Sequence, residues 1–449
     1  MISALIFSAF NCIFYVLAFS RGPFWGLFAY MNIYFNAPND HLNWWATYLP
    51  FDRWSLLTSL VLVLSLLTHK NQLSNHKFES AKWMFLFFFL SLAIALTSAL
   101  NKDDAYSYLY LLFTFCLIVS ILIKTLKSYD QLRSFLLGII IFIAYLSFDA
   151  YLNGERVNNR LEGSGSADAN QSNEFALLLA AVIPMLVTFL VNGTRNERII
   201  CFLSLPFVVN AFILCNSRGG AVAFIAAILY AIFLVADKKM RRGMIVMMIA
   251  ALPVVLFLAD EAYIDRFTSL MGFGAAMEDE AQARQLSSGR TEIWDYGIEM
   301  AKDYPFGAGP NSFKKIARFY MPEDVLTFHP GATYGVRSAH NTYLQIIVEQ
   351  GIIGLFIWLL MCLHTCYILY KSFKILAPLG KEYKFWKTMA FSLNISFFSI
   401  LIGGLVNSRI YYEFFWWQLA ISVVLYSLAK GVVLNGSMNQ SEQTQSNRI

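Results

Sequence analysis

Few residues in this 449-residue chain are placed to do chemistry, and three of them fit one reaction type. His340 lies in RSAHNTYLQ, three residues after Arg337, where a polar stretch gives way to an apolar run. An imidazole titrates at about pH 6.5 and can take a proton from a hydroxyl at neutral pH. Neighbouring arginines disfavour its protonated form and keep it available as a base. Arg290 opens a helical pattern after Ser287, Ser288 and Gly289, where unpaired N–H groups and the helix dipole favour an anion. Arg218, in ILCNSRGGAVAF, stands at the start of an apolar run, and Gly219 and Gly220 permit close approach of backbone or ligand. Guanidinium forks bind phosphate oxygens in two-point fashion and can stabilise a departing diphosphate.

Each residue also has a plainer reading taken alone. Arg218 could snorkel onto lipid headgroups, Arg290 could be an exposed surface arginine, and His340 could begin a helix facing water. Asn341 and Gln345 can hydrogen-bond sugar or phosphate. His329, before Pro330, reads as a loop residue, and Glu278, Asp279 and Glu280 as a solvated run. The chain carries no DxD, no HExxH, no Walker A and no GxGxxG, so neither a metal nor another cofactor is expected. Cys362, His364 and Cys366 cannot all share a helix face and read as structural. Arginines and a histidine without a metal suit a substrate that already carries an activated diphosphate.

The rest of the chain must position these residues, and its composition names the solvent. Hydrophobic residues make up 57%, aromatic residues 16% and charged residues 14%, with a mean hydropathy of +0.53. Soluble domains carry about 25% charged residues, so the apolar surplus must face lipid. The net charge of +5 gives no reason to invoke nucleic acid. All six cysteines fall in apolar runs, which argues against a disulfide framework. No basic segment or cleavage site marks the start, so residues 2–19 read as a retained span.

Apolar runs of spanning length fall near 2–19, 53–69, 83–100, 105–123, 134–152, 174–192, 199–215, 219–236, 243–259, 341–370, 388–406 and 411–431, with 22–36 as a shorter one. The expected fold is therefore all-α, a polytopic integral membrane protein of twelve or thirteen transmembrane helices. Lysine and arginine recur in every second loop: 70–82, 124–133, 195–198, 238–242 and 371–387. The positive-inside rule makes these loops cytoplasmic and puts 101–104, 153–173, 217–218, 260–340 and 408–409 outside. Residues 1–259 then form an N-terminal helix bundle, 260–340 a large periplasmic loop, 341–435 the C-terminal helices and 436–449 a disordered cytoplasmic tail. Within the loop, 291–302 has helical spacing until Pro305, and Asn311 is placed to cap a second helix bearing Phe313, Ile316, Ala317 and Tyr320 on one side. These two short helices would form a lid over the site.

The ordered set of motifs resembles the O-antigen ligase superfamily, which includes O-antigen ligases, O-antigen polymerases and protein O-oligosaccharyltransferases. The resemblance rests on SRGG at 217–220, on Gly289-Arg290 with Trp294 leading to Pro305, Gly307 and Gly309, and on His340-Asn341 with LQIIVEQGIIG. It covers about residues 150–370, and 165–180 is similar to a segment preceding a span in that family. The N-terminal stretches RGPFWGLFAYMNIYFNAP and LPFDRWSLL look like a subgroup of O-glycosylation ligases, which leaves the acceptor open.

The resemblance implies a GT-C-like, metal-independent, inverting glycosyltransferase of the bacterial inner membrane. Its donor would be an undecaprenyl-diphosphate-linked glycan and its acceptor lipid A-core, another glycan or a protein. In those terms Arg218 and Arg290 hold the diphosphate and His340 activates the acceptor hydroxyl, with Arg337 and Arg409 assisting. Two alternatives stand beside a ligase. One is a polymerase joining lipid-linked repeats. The other is a transporter or flippase, for which ionisable groups at mid-membrane would be expected. Here the candidates gather at one face.

Overall fold

The computed structural model describes residues 2–157, 160–234, 241–242, 289–328 and 334–446. The expected span at 243–259, the polar run at 275–288 and His329 lie outside the described residues. The chain is an all-α polytopic membrane protein. Its first nine helices are α1 (Ile2–Arg21), α2 (Pro23–Phe35), α3 (Trp54–Thr68), α4 (Lys82–Thr97), α5 (Lys102–Thr125), α6 (Tyr129–Asn153), α7 (Ser172–Asn192), α8 (Arg195–Leu214) and α9 (Arg218–Leu234). A two-stranded antiparallel hairpin, β1 (Glu155–Val157) and β2 (Arg160–Glu162), separates α6 from α7. There follow α10 (Arg290–Asp303), the single turn α11 (Phe313–Ile316), α12 (Thr342–Leu376), α13 (Lys384–Gly403) and α14 (Glu413–Ser446).

Apolar sequence becomes helix here because lipid offers the backbone no hydrogen bonds, so each segment must satisfy its own. Polar residues set the ends. Asn101 accepts from the backbone N–H of Asp104, Ser128 from that of Gln131, and Thr194 with Glu197 forms a reciprocal capping box at α8. Among the described residues, eight helices are long and apolar enough to cross a membrane, fewer than the twelve or thirteen expected. The apolar helices α3, α4 and α9 are shorter. The 22–36 run becomes α2, whose 13 residues reach roughly 20 Å at 1.5 Å per residue, against a hydrocarbon thickness of about 30 Å. α2 is instead largely buried against α1, α3 and α6.

The loop alternation is visible as two sets of contacts. On one face Leu100 N donates to Ala308 O (3.1 Å), Lys315 Nζ meets Asp104 (2.6 Å), Ser217 Oγ donates to Asn173 (2.8 Å) and Thr342 Oγ1 to Asn407 O (2.8 Å). On the other, Arg133 makes a two-point ion pair with Glu197 (2.6 Å), Ser74 N donates to Lys124 O (2.7 Å) and Lys430 reaches Glu79 (3.3 Å). Between the faces, Trp358, Trp416 and Trp417 are fully buried, and Trp358 stacks on Phe415 at 4.5 Å. Lipid tails are as apolar as leucine, so close packing and interhelical hydrogen bonds hold such a bundle. Thr188 and Ser392 bond across α7 and α13 (2.6 Å), Ser396 bonds to Ala181 O, and Gly403 leaves room for Leu177. His364 Nδ1 accepts from Trp83 Nε1 of α4 (3.1 Å).

The loop and α12 are joined by one backbone exchange. α12 breaks at Gly351 (φ 69°, ψ −176°). Ile352 N donates to Pro305 O (3.0 Å), while the carbonyls of Val348 and Glu349 accept from Ala308 N (2.9 Å) and Gly309 N (3.0 Å). The 305–309 turn thus replaces the bonds the helix loses at its kink, which keeps irregular backbone satisfied at the membrane.

Two expectations are corrected. Asn311 does not cap a long second helix: it adopts φ 57°, Ser312 takes the cap position, and after α11 the chain tightens into a 3₁₀ turn before Pro322. A proline disfavours helix in the residue before it and supplies no N–H. The tail from Gly436, expected to be disordered, continues α14 to Ser446. Extending an existing helix adds one bond per residue fixed, and no proline interrupts it.

Candidate active site

Arg218 is the first residue of α9, and Ser217 builds that corner. Its Oγ accepts from Gly220 N (3.1 Å) and donates to Asn173 Oδ1 (2.8 Å) at the start of α7. The two glycines after Arg218 serve helix approach: a Cβ on Gly220 would lie 2.6 Å from the Ala176 Cβ, and one on Gly219 3.0 Å from Val406. Asn173 Oδ1 also accepts from Arg160 Nη2 (2.6 Å), which ties the β-hairpin to the same corner. Glu162 fixes the hairpin further by accepting from both the backbone N–H and the hydroxyl of Ser172.

Arg290 opens α10 after Gly289, whose left-handed conformation (φ 67°) turns the chain into the helix. Residues 290, 294 and 297 share one helix face. Gly297 packs on Leu344 of α12, where a Cβ would lie 2.5 Å from Leu344 Cδ2, and Trp294 Nε1 donates to Ala339 O (3.1 Å). Arg290 is thereby set beside His340, the residue after Ala339. Burial, and then the positive charges of Arg218 and Arg160, hold the Arg290 guanidinium below its ordinary value. Arg160, Arg218 and Arg290, distant in sequence, share one electrostatic neighbourhood. Confining like charges is costly, and an anion would offset the cost.

His340 has positive φ (47°), an uncommon conformation for a non-glycine residue. Burial pushes its imidazole down to about 4, and the charges of Arg290, Arg337 and Lys314 act in the same direction. The ring is therefore neutral at neutral pH, with a lone pair available. Arg337 is held by its own contacts: Nη1 donates to Thr327 Oγ1 (3.1 Å), and its backbone N–H to Lys314 O (3.4 Å).

The other expected site residues have structural engagements. Asn341 Oδ1 accepts from the backbone N–H groups of Tyr343 and Leu344 (both 3.0 Å) and caps α12. Gln345 is buried and donates to Glu349 Oε1 (3.0 Å), while Glu349 Oε2 accepts from Tyr411 (2.7 Å). Tyr411 Oη in turn accepts from Asn311 N (3.0 Å), so this network locks the large loop to α12. The backbone of Arg409 adjoins the start of α12, its N–H donating to Thr342 Oγ1 (2.8 Å). Its buried side chain turns instead to Glu174 O (3.0 Å) and lies over the Tyr412 ring (4.4 Å).

The residue that sequence reasoning passed over is Arg160. The signal that singled out Arg218 applied to it equally, since it too is an arginine in a loop on the side where basic residues do not serve orientation. Nothing in the spacing reveals that β2 carries it to Asn173. Among the described residues, no group of three or more His, Cys, Asp and Glu side chains is placed to hold a metal ion.

Comparison with known proteins bears on the same region. Residues 199–359 match the family model described as O-antigen ligase, a stretch that contains Arg218, Arg290, Arg337 and His340 but neither Arg160 nor Arg409. A protein of Salmonella muenchen named O-antigen polymerase is 22% identical over 220 residues, which is 48% of this chain and 51% of that protein. The chain thus matches about half the length of this relative. Together the two likenesses support the O-antigen ligase and polymerase superfamily for this chain.

Proposed function

From its place in the O-antigen ligase and polymerase superfamily, we propose that the chain is a membrane glycosyltransferase acting on a lipid-diphosphate-linked glycan. The observation that carries this reading is the gathering of Arg160 and Arg218 around Arg290, which itself adjoins a neutral His340. The guanidiniums hold the donor diphosphate. His340 takes the proton of the acceptor hydroxyl as its oxygen attacks the anomeric carbon. The bond from that carbon to the diphosphate oxygen breaks on the opposite side, with inversion, and the electron pair leaves on the diphosphate, whose charge the arginines stabilise. This chemistry draws on no metal. In this reading α10, seated on α12, covers the site, and the site face of the bundle is the periplasmic face of a bacterial inner membrane. The carrier proposed for the donor is undecaprenyl, as the resemblance implies.

The first reading is a ligase, which transfers the glycan to lipid A-core or to another acceptor hydroxyl. The name of the Salmonella relative favours a second, in which the acceptor is another lipid-linked repeat. Both use the same residues. The deciding experiment analyses lipid-linked and transferred glycan by mass spectrometry in a deletion strain complemented with wild-type protein or with His340→Ala. A ligase defect leaves long lipid-linked chains unattached, and a polymerase defect leaves single repeats. The enzyme reading predicts no transfer by His340→Ala despite normal accumulation in the membrane; full transfer by that variant would remove His340 from the mechanism.

A further inference from the structure

Asn173 stands where two arginine-bearing elements meet. It lies in the first turn of α7. Its Oδ1 accepts from Arg160 Nη2 on β2 (2.6 Å) and from the Oγ of Ser217 (2.8 Å), the residue before Arg218. Ser217 Oγ at the same time accepts from Gly220 N (3.1 Å), so that hydroxyl fixes the turn into α9. Arg160 Nε reaches Cys215 O more weakly (3.5 Å) on the far side of the same turn. One amide oxygen therefore sets both the guanidinium of Arg160 and the turn from which Arg218 departs.

For holding these two donors an amide is the weaker choice. A carboxylate of the same shape would accept from both, and a charge-assisted bond to arginine is stronger than one to a neutral oxygen. It would also suit the first turn of a helix, where the dipole favours an anion. Carboxylates stand close by but are engaged elsewhere: both oxygens of Glu162 accept from Ser172, and Glu174 Oε1 accepts from Tyr412. The acceptors on the Nε–Nη2 edge of Arg160, the Asn173 amide and the Cys215 carbonyl, are both uncharged. They orient the guanidinium and leave its positive charge in place. That charge, together with the charge of Arg218, acts on Arg290.

We propose that Asn173 is the positioning residue of the diphosphate site, a neutral clasp that aims Arg160 and the Arg218 turn at one anion without cancelling their charge. Asn173 acts through the arginines, and this role rests on the proposed diphosphate chemistry. The amide is what separates an anion site from an internal ion pair. With a carboxylate at this position Arg160 would carry a permanent counter-charge in the free protein, and an arriving diphosphate would have to compete with it.

The test uses the full-length protein purified in mild detergent, with inorganic diphosphate as the ligand. Titration calorimetry reads affinity and thermal unfolding reads stability. Wild-type protein is expected to bind diphosphate. Asn173→Asp keeps the acceptor oxygen, so its thermal stability should equal or exceed that of wild type. Its diphosphate affinity should nevertheless fall about tenfold, the fold-change of one charge-assisted hydrogen bond. A merely structural residue would move the two together. Undiminished affinity in Asn173→Asp, or affinity lost in parallel with stability, would overturn the role of Asn173 while leaving the diphosphate site standing. No binding by wild-type protein would overturn both. If Asn173→Asp does not accumulate, Asn173→Ala and Arg160→Ala are combined in a double-mutant cycle on the same affinity. The pair should lose clearly less than the sum of the single losses, because Asn173 acts in part through Arg160, and full additivity would overturn the role.

Discussion

Trp294 donates its indole N–H to the carbonyl oxygen of Ala339 at 3.1 Å, so the helix that begins with Arg290 is fastened to the residue before His340. Fifty residues of chain separate the two candidate site residues, and one side-chain hydrogen bond together with the Gly297–Leu344 contact sets their relation. Trp294→Phe keeps the ring and loses the donor. A net hydrogen bond is worth about 1 kcal/mol, so accumulation should be nearly unchanged while the transfer rate falls about tenfold or more through misplacement. Unaltered kcat and donor KM in this variant would show that the bond does not position the site.

The three arginines should differ from ordinary surface charges in their response to lysine. Arg218→Lys and Arg290→Lys keep the charge but lose the planar fork, so donor KM should rise and kcat should fall, without full recovery relative to alanine. Arg160→Lys additionally loses its geometry at Asn173 and should show the same pattern. Steady-state kinetics with a lipid-diphosphate donor checks this. Wild-type kinetics for Arg160→Ala would remove it from the site.

The imidazole makes a prediction in pH. His340 lies at about 4 in the free protein, below its ordinary 6.5, because burial and three cations oppose its protonation. The acid limb of kcat/KM, which reports free enzyme, should therefore lie near pH 4, and that of kcat should lie higher, since bound diphosphate offsets the arginines. Arg290→Gln should move the kcat/KM limb upward. Stability follows the same sign: as pH falls from about 6.5 towards about 4, the unfolded chain takes a proton the native imidazole refuses, so His340 costs stability there. Coincident limbs for kcat and kcat/KM would contradict this electrostatic account.

The kink in α12 predicts a contrast between two glycines. Gly351 and Gly380 both have positive φ (69° and 83°), but a Cβ on Gly351 would lie 2.5 Å from the Phe306 carbonyl carbon, while nothing lies within 4 Å at Gly380. Gly380→Ala should cost about 1–2 kcal/mol from backbone conformation alone. Gly351→Ala should cost clearly more, because the 305–309 turn must move and its three backbone bonds with α12 are disturbed. Thermal unfolding of the two variants in detergent compares them; equal losses would show that the turn yields freely.

Apolar period, loop charge and caps made much of this protein legible in sequence. The spans, their alternation between two faces, and the helices opening at Arg290 and after Asn341 follow from local rules. Lipid demands internal backbone bonding and basic loops partition to one side, so both act residue by residue. Lateral packing was not legible. The burial of α2 against α1, α3 and α6 and the break at Gly351 against the 305–309 turn depend on what each segment meets in space. For the site, sequence supplied the chemical types of Arg218, Arg290 and His340, and tertiary structure supplied their company. It brought in Arg160 through Asn173, turned Arg409 towards Glu174, and committed Asn341 and Gln345 to a cap and a buried network. Hydrogen-bond partners and the local dielectric are set by distances in space, so the depression of His340 emerges only when α10, α12 and the loop are packed together.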